Sequence, residues 1–69
     1  MKISARNVLS GKVLSVTPGA VDTEVVVEIA PGKSVAAIIT QQSVAHMGLK
    51  AGDDAYVVIK AHSVMIGKD

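Results

Sequence analysis

Sixty-nine residues, 49% of them hydrophobic but with a single aromatic ring (Tyr56), describe one small domain built from aliphatic side chains. A formal net charge of +1 lacks the dense basic face of a nucleic-acid binder, and so few rings leave no platform for stacking bases. The absence of cysteine excludes disulfides, thiolate metal sites and thiol catalysis, and no apolar run approaches the roughly 18 residues of a membrane span.

The opening segment from Lys2 to Leu9 reads as extended chain, and it sets hydroxyl, guanidinium and amide donors close together at Ser4, Arg6 and Asn7. Lys12 to Val16 is predicted as the next strand. Thr17-Pro18-Gly19 then places proline before glycine, the type II arrangement in which glycine supplies the positive φ. Asp22 to Ile29 is a strand with Thr23, Val25 and Val27 on one face and Glu24, Val26 and Glu28 on the other. Pro31-Gly32-Lys33 repeats the turn, and Ser34 to Thr40 forms a further strand. Gln41 to Leu49 holds one or two helical turns with Gly48 as C-cap, while Thr40 and Ser43 both suit the N-cap. A third break at Lys50 to Asp54 precedes Ala55 to Ile66, which is one long strand or two short ones.

This order predicts an all-β fold, a small OB-like barrel with one short helix, with a half-open sandwich as the competing architecture. Its aliphatic content exceeds what so small a domain can hide, so the surplus is expected on faces buried against other copies in a homo-oligomer. The N-terminus has no signal-peptide hydrophobic region, and small size without disulfides suits a cytoplasmic protein stabilised by assembly.

Catalysis is poorly supplied. His46 and His62 are far apart in sequence, and neither has an Asp, Glu or His at metal-ligand spacing. Glu24 and Glu28 share a strand face that reads as solvated, and Asp53-Asp54 is too short for a metal loop. No nucleophile elbow, P-loop or dinucleotide glycine pattern occurs, so no enzyme activity is expected. Anion binding is better supported, since an oxyanion needs converging donors with carboxylates kept away. Ser4 and Arg6 share one face of an extended segment, although by periodicity alone this is an ordinary strand with a surface arginine. Lys60 follows Val57-Val58-Ile59; it either snorkels to solvent or turns inward at a subunit contact, where it requires an anion or a carboxylate. Thr40 and Ser43 flank the helix start, either as plain caps or as donors to negative charge. Arg6 with Lys60 balances a dianion, and no metal or cofactor is required.

Ile3-Ser-Ala-Arg-Asn7 followed by Leu9-Ser-Gly-Lys-Val13 resembles the opening of the molbindins, the small Mop-domain proteins that bind molybdate. The similarity continues through Thr23-Glu-Val25, Ser43-Val44 with Gly48-Leu49, and Ile59-Lys60 with Ser63-Val-Met65, so it covers essentially the whole chain. The resemblance implies a single Mop domain over residues 1–69, assembled as a homohexamer (a trimer of dimers) with oxyanions at subunit interfaces. It implies storage or buffering of cytoplasmic molybdate or tungstate, without nucleic-acid or membrane partners. Carried over by position, Ser4, Ala5 and Arg6 match the N-terminal donors, through side chain or backbone amide. Lys60 matches the basic ligand near the last strand. Ala61 stands where relatives often carry Ser or Thr, leaving its backbone N–H to donate. Thr40 and Ser43 match positions contributed by the neighbouring subunit.

Overall fold

A computed structural model describes all 69 residues. The β-branched runs pair into one antiparallel sheet: β1 (Asn7–Pro18), β2 (Asp22–Ala30), β3 (Lys33–Thr40) and β4 (Asp54–Ile59), in the spatial order β3-β2-β1-β4. One helix, α1 (Gln41–Met47), follows β3, and a 3₁₀ turn over Ala61–Ser63 follows β4. The sheet curls into an OB-like barrel that stays open between the β3 and β4 edges, so the sandwich alternative is set aside.

Alternation sets the inner face. Thr23, Val25 and Val27 of β2 point inward, at 2%, 3% and 4% exposure, and meet Val13 of β1 and Val57 of β4. These five are the only fully buried residues. The isolated chain exposes 5564 Å², against about 4,100 Å² expected for a globular monomer of its 7.1 kDa mass. Large apolar side chains contribute to this surface: Val21, Ile38, Tyr56, Met65 and Ile66 are each more than half exposed. A partly open apolar hollow of about 370 Å³ lies against the core valines and is also lined by Met1, Ile39, Leu49 and Tyr56.

Curvature is built into β1. The register with β2 shifts between Val13 and Ser15, a bulge that bends the strand. The backbone of Val13 turns to the loop before β4, donating to Asp53 O and accepting from Gly52 N, both at 2.8 Å. Just before the bulge, Gly11 lies against β2 so closely that a methyl group there would sit 2.8 Å from Val27 Cγ1 and collide with the Glu28 carbonyl. The loop itself is held by Asp53, whose carboxylate accepts from Lys50 N at 3.0 Å and pairs with Lys50 Nζ at 3.2 Å. The hydrogen bond from the Lys50 backbone amide, with its ammonium adding to it, holds the Asp53 carboxyl below its ordinary range.

Several expectations change. The segment from Lys2 to Arg6 is not strand, because the partner strand β4 ends opposite Asn7 and leaves it nothing to pair with. The apolar stretch to Ile66 is neither one strand nor two: β4 stops at Ile59 and the chain turns away. The glycine of Pro31-Gly32 has the positive φ of 74° that its turn requires, but Gly19 does not. The connection after Pro18 is wider, closed by Gly19 N donating to Asp22 O at 2.7 Å. Thr40 is the N-cap, accepting from Ser43 N at 3.0 Å, and Gly48 closes the helix at φ 63°.

Replacing Gly11 by alanine forces β1 and β2 apart and is expected to lower stability by about 1–3 kcal/mol, read from the urea midpoint. Asp53→Asn is expected to destabilise at neutral pH. A depressed folded-state pKa contributes stability above the unfolded value of 3.8, which is lost as pH falls through the folded value. Urea curves of the two proteins should therefore differ at pH 7 and converge under acid.

Candidate anion-binding site

The antiparallel pairing of β1 with β4 decides which candidates meet. Asn7 stands directly opposite Ile59, so Ser4-Ala5-Arg6, just before β1, and Lys60-Ala61, just after β4, emerge at one end of the sheet. Asn7 Nδ2 donates to the Ile59 carbonyl oxygen at 3.3 Å and ties the two exits together. Ser4, Arg6, Lys60 and Ala61 are exposed, and Ala5 is half-buried.

The donors of this end are unpaired. The backbone N–H groups of Ser4, Ala5, Arg6 and Lys60 lie outside strands and helices and make no hydrogen bond within the chain, and that of Ala61 is the first of the 3₁₀ turn, ahead of the turn's own hydrogen bonds. Neither Arg6 nor Lys60 has a carboxylate partner; the two salt bridges of the chain are Lys12–Asp54 and Lys50–Asp53. Five amides, the Ser4 hydroxyl and two cations are thus presented without an acceptor. Such a set offers the donors that an oxyanion takes, and ionised partners make the stronger hydrogen bonds.

Thr40 and Ser43 lie elsewhere. Thr40 pairs with Asp22, beside the β1 terminus where Pro18 faces Thr23, so both sit at the opposite end of β1. About 36 Å of strand path separates the two ends, taking roughly 3.3 Å per residue. The Thr40 hydroxyl accepts from Ser43 N and donates to Ser43 Oγ at 2.9 Å, so the hydroxyl proton left for an outside acceptor belongs to Ser43. Gln41 Nε2 donates to Gly19 O at 2.9 Å and moors the helix start to the β1–β2 connection. Thr40 and Ser43 line a shallow hollow of about 310 Å³ with Gln42, His46 and Met47. His46 is the only ionisable group in it, and no carboxylate lines it.

The seven candidates therefore form two groups, not one. Sequence reasoning found the donors of both, but it did not assign Asn7 or Gln41 their roles as ties. Both were legible only as polar side chains next to candidates, and their partners are main-chain carbonyls that no spacing rule reveals.

The TOBE domain family model matches residues 3–66. Molybdenum-pterin-binding protein 3 of Clostridium pasteurianum is 50% identical over 66 residues, 96% of this chain and 97% of that protein. Among solved structures, a molybdate-binding protein from Sporomusa ovata superposes with a TM-score of 0.91 at 35% identity, covering 99% of this chain and all of the other. MopII from Clostridium pasteurianum superposes at 0.90 with 45% identity, over 97% of this chain and 100% of its own.

Proposed function

The chain belongs to the TOBE domain family, among its small molybdenum-pterin-binding members, and from that footing we propose that it binds molybdate or tungstate for storage or homeostasis. The observation that carries this reading is the end of the β1–β4 pair, where Arg6 and Lys60 have no carboxylate partner and the neighbouring amides no acceptor. A tetrahedral dianion brings two negative charges, which Arg6 and Lys60 offset. Its four oxygens accept from the Ser4 hydroxyl and the free amides of residues 4–6, 60 and 61. Ala61 takes part through its backbone N–H alone.

The second group supplies the rest from a neighbouring copy. Because Thr40 and Ser43 lie at the far end of β1, their donors reach the Arg6–Lys60 end only across an interface. A homohexamer built as a trimer of dimers accommodates this reading. Support comes from the exposed surface, about 1,500 Å² beyond that of a globular monomer of this size, and from the large aliphatic side chains on it. The proposal sets the protein in the cytoplasm, where a chain without cysteine forgoes nothing by lacking disulfides. No helix is long and apolar enough to cross a membrane.

An oxyanion suits this chain better than a pterin. A pterin ring carries donors and acceptors along its edge and needs matching polar groups within an apolar enclosure. The more sheltered of the two hollows is lined only by hydrophobic residues. The reading assigns no catalytic step: the site binds, orients and releases an anion that is not chemically changed.

Isothermal titration of the purified protein with molybdate, tungstate and sulfate tests the proposal. Molybdate and tungstate should bind alike and well ahead of sulfate. Arg6→Ala or Lys60→Ala should each weaken molybdate binding about 10- to 100-fold, the worth of one charge-assisted hydrogen bond. Absence of binding to either large oxyanion, or full affinity after Ser4, Arg6 and Lys60 are all replaced, would overturn it.

A further inference from the structure

We infer that Asn7 is a positioning residue for the anion site, aiming the Lys60 amide and fixing the spacing between the arginine and lysine arms. The inference rests on the oxyanion reading above. Two side-chain hydrogen bonds join segments distant in sequence, Asn7 to Ile59 and Gln41 to Gly19, and only the first lies at the Arg6–Lys60 end.

The geometry of one peptide unit gives that bond its reach. Asn7 Nδ2 donates to the carbonyl of Ile59, and that carbonyl belongs to the same planar unit as the N–H of Lys60. In a trans peptide the two groups point in opposite directions, and no cis bond occurs in this chain. Gripping the carbonyl from the β1 side therefore turns the Lys60 N–H outward, away from Asn7. Engaging the carbonyl also polarises the unit and makes that N–H a better donor. The same residue pins its own backbone directly opposite Ile59, so the Arg6 peptide begins from a fixed point. Asn7 is half-buried between the exposed donors and the strand pair, which places it behind the anion rather than against it.

Lys60 needs such a hold. It follows the last residue of β4, it opens the 3₁₀ turn without a side-chain cap, and no backbone bond of its own amide restrains it. Two arms held at a set separation favour the oxyanion that spans them. A smaller anion cannot engage both at once and depends less on their aim.

The test is titration of Asn7→Ala and Asn7→Asp at pH 7.5, with molybdate measured directly and sulfate by competition, each corrected for folded fraction by circular dichroism. Asn7→Ala should lose about five- to tenfold in molybdate affinity, the worth of one neutral hydrogen bond, with a smaller loss for sulfate. The preference between the two anions then narrows. Asn7→Asp should lose more, because its carboxylate cannot donate to Ile59 and brings negative charge between the two cations. Asn7→Ser serves in place of the alanine variant if that protein does not fold. Unchanged molybdate affinity in a folded variant overturns the inference, as does an equal loss for both anions, which marks only a smaller competent population. If the unaltered protein binds neither anion, the oxyanion reading falls and this inference with it; if it binds and the variants match it, only the role of Asn7 falls.

Discussion

The hydrogen-bonded register of β1 is the constraint from which the remaining features follow. This strand is paired on both sides, with β2 over its C-terminal part and β4 over its N-terminal part. A slip of one residue against β2 would set Val13 and the face of Thr23, Val25 and Val27 on opposite sides of the sheet, and a slip against β4 would separate Val13 from Val57 in the same way. The bulge after Val13 and the absence of a side chain at Gly11 let the strand bend enough to serve both partners. The same register sets Asn7 opposite Ile59 and Pro18 opposite Thr23, which assigns one donor group to each end. The separation of the candidate donors into two groups is a consequence of the fold and not an addition to it.

The division and the shortage of burial answer each other under the proposed assembly. Five buried residues make a thin core, and the isolated barrel leaves a seam between β3 and β4 with an apolar hollow beside it. Covering such surface with another copy contributes roughly 25 cal/mol for each Å² removed from water. Closing one end of β1 against the far end of a neighbour's β1 would also exclude water from the donors. Lower effective dielectric strengthens every charged hydrogen bond to the anion. Burying unpaired cations costs free energy unless an anion joins them, so the ligand and the interface would reinforce one another.

Much of the architecture could be read from residue order. The alternation in Asp22 to Ile29 placed both faces of β2 correctly, because only a half-buried strand repeats every second residue. Pro31-Gly32 and Gly48 were legible because each backbone conformation admits few other residues. Pairing partners were not legible. Lys2 to Arg6 has strand-like composition yet no neighbour, and Val64-Met65-Ile66 is as apolar as β4 yet lies beyond the end of β1. Ser4, Arg6 and Lys60 stand out as candidates by their chemistry and by the family resemblance. Their convergence, and the separation of Thr40 and Ser43 from them, required the ladder. Asn7 was visible as a donor, but its acceptor is a carbonyl 52 residues away.

Native mass spectrometry with and without molybdate tests the central claim, that the two donor groups complete one site only across copies. The account predicts an oligomer carrying bound oxyanion and a dissociated monomer carrying none. A monomer that retains one molybdate per chain, or an oligomer that takes up none, would contradict it.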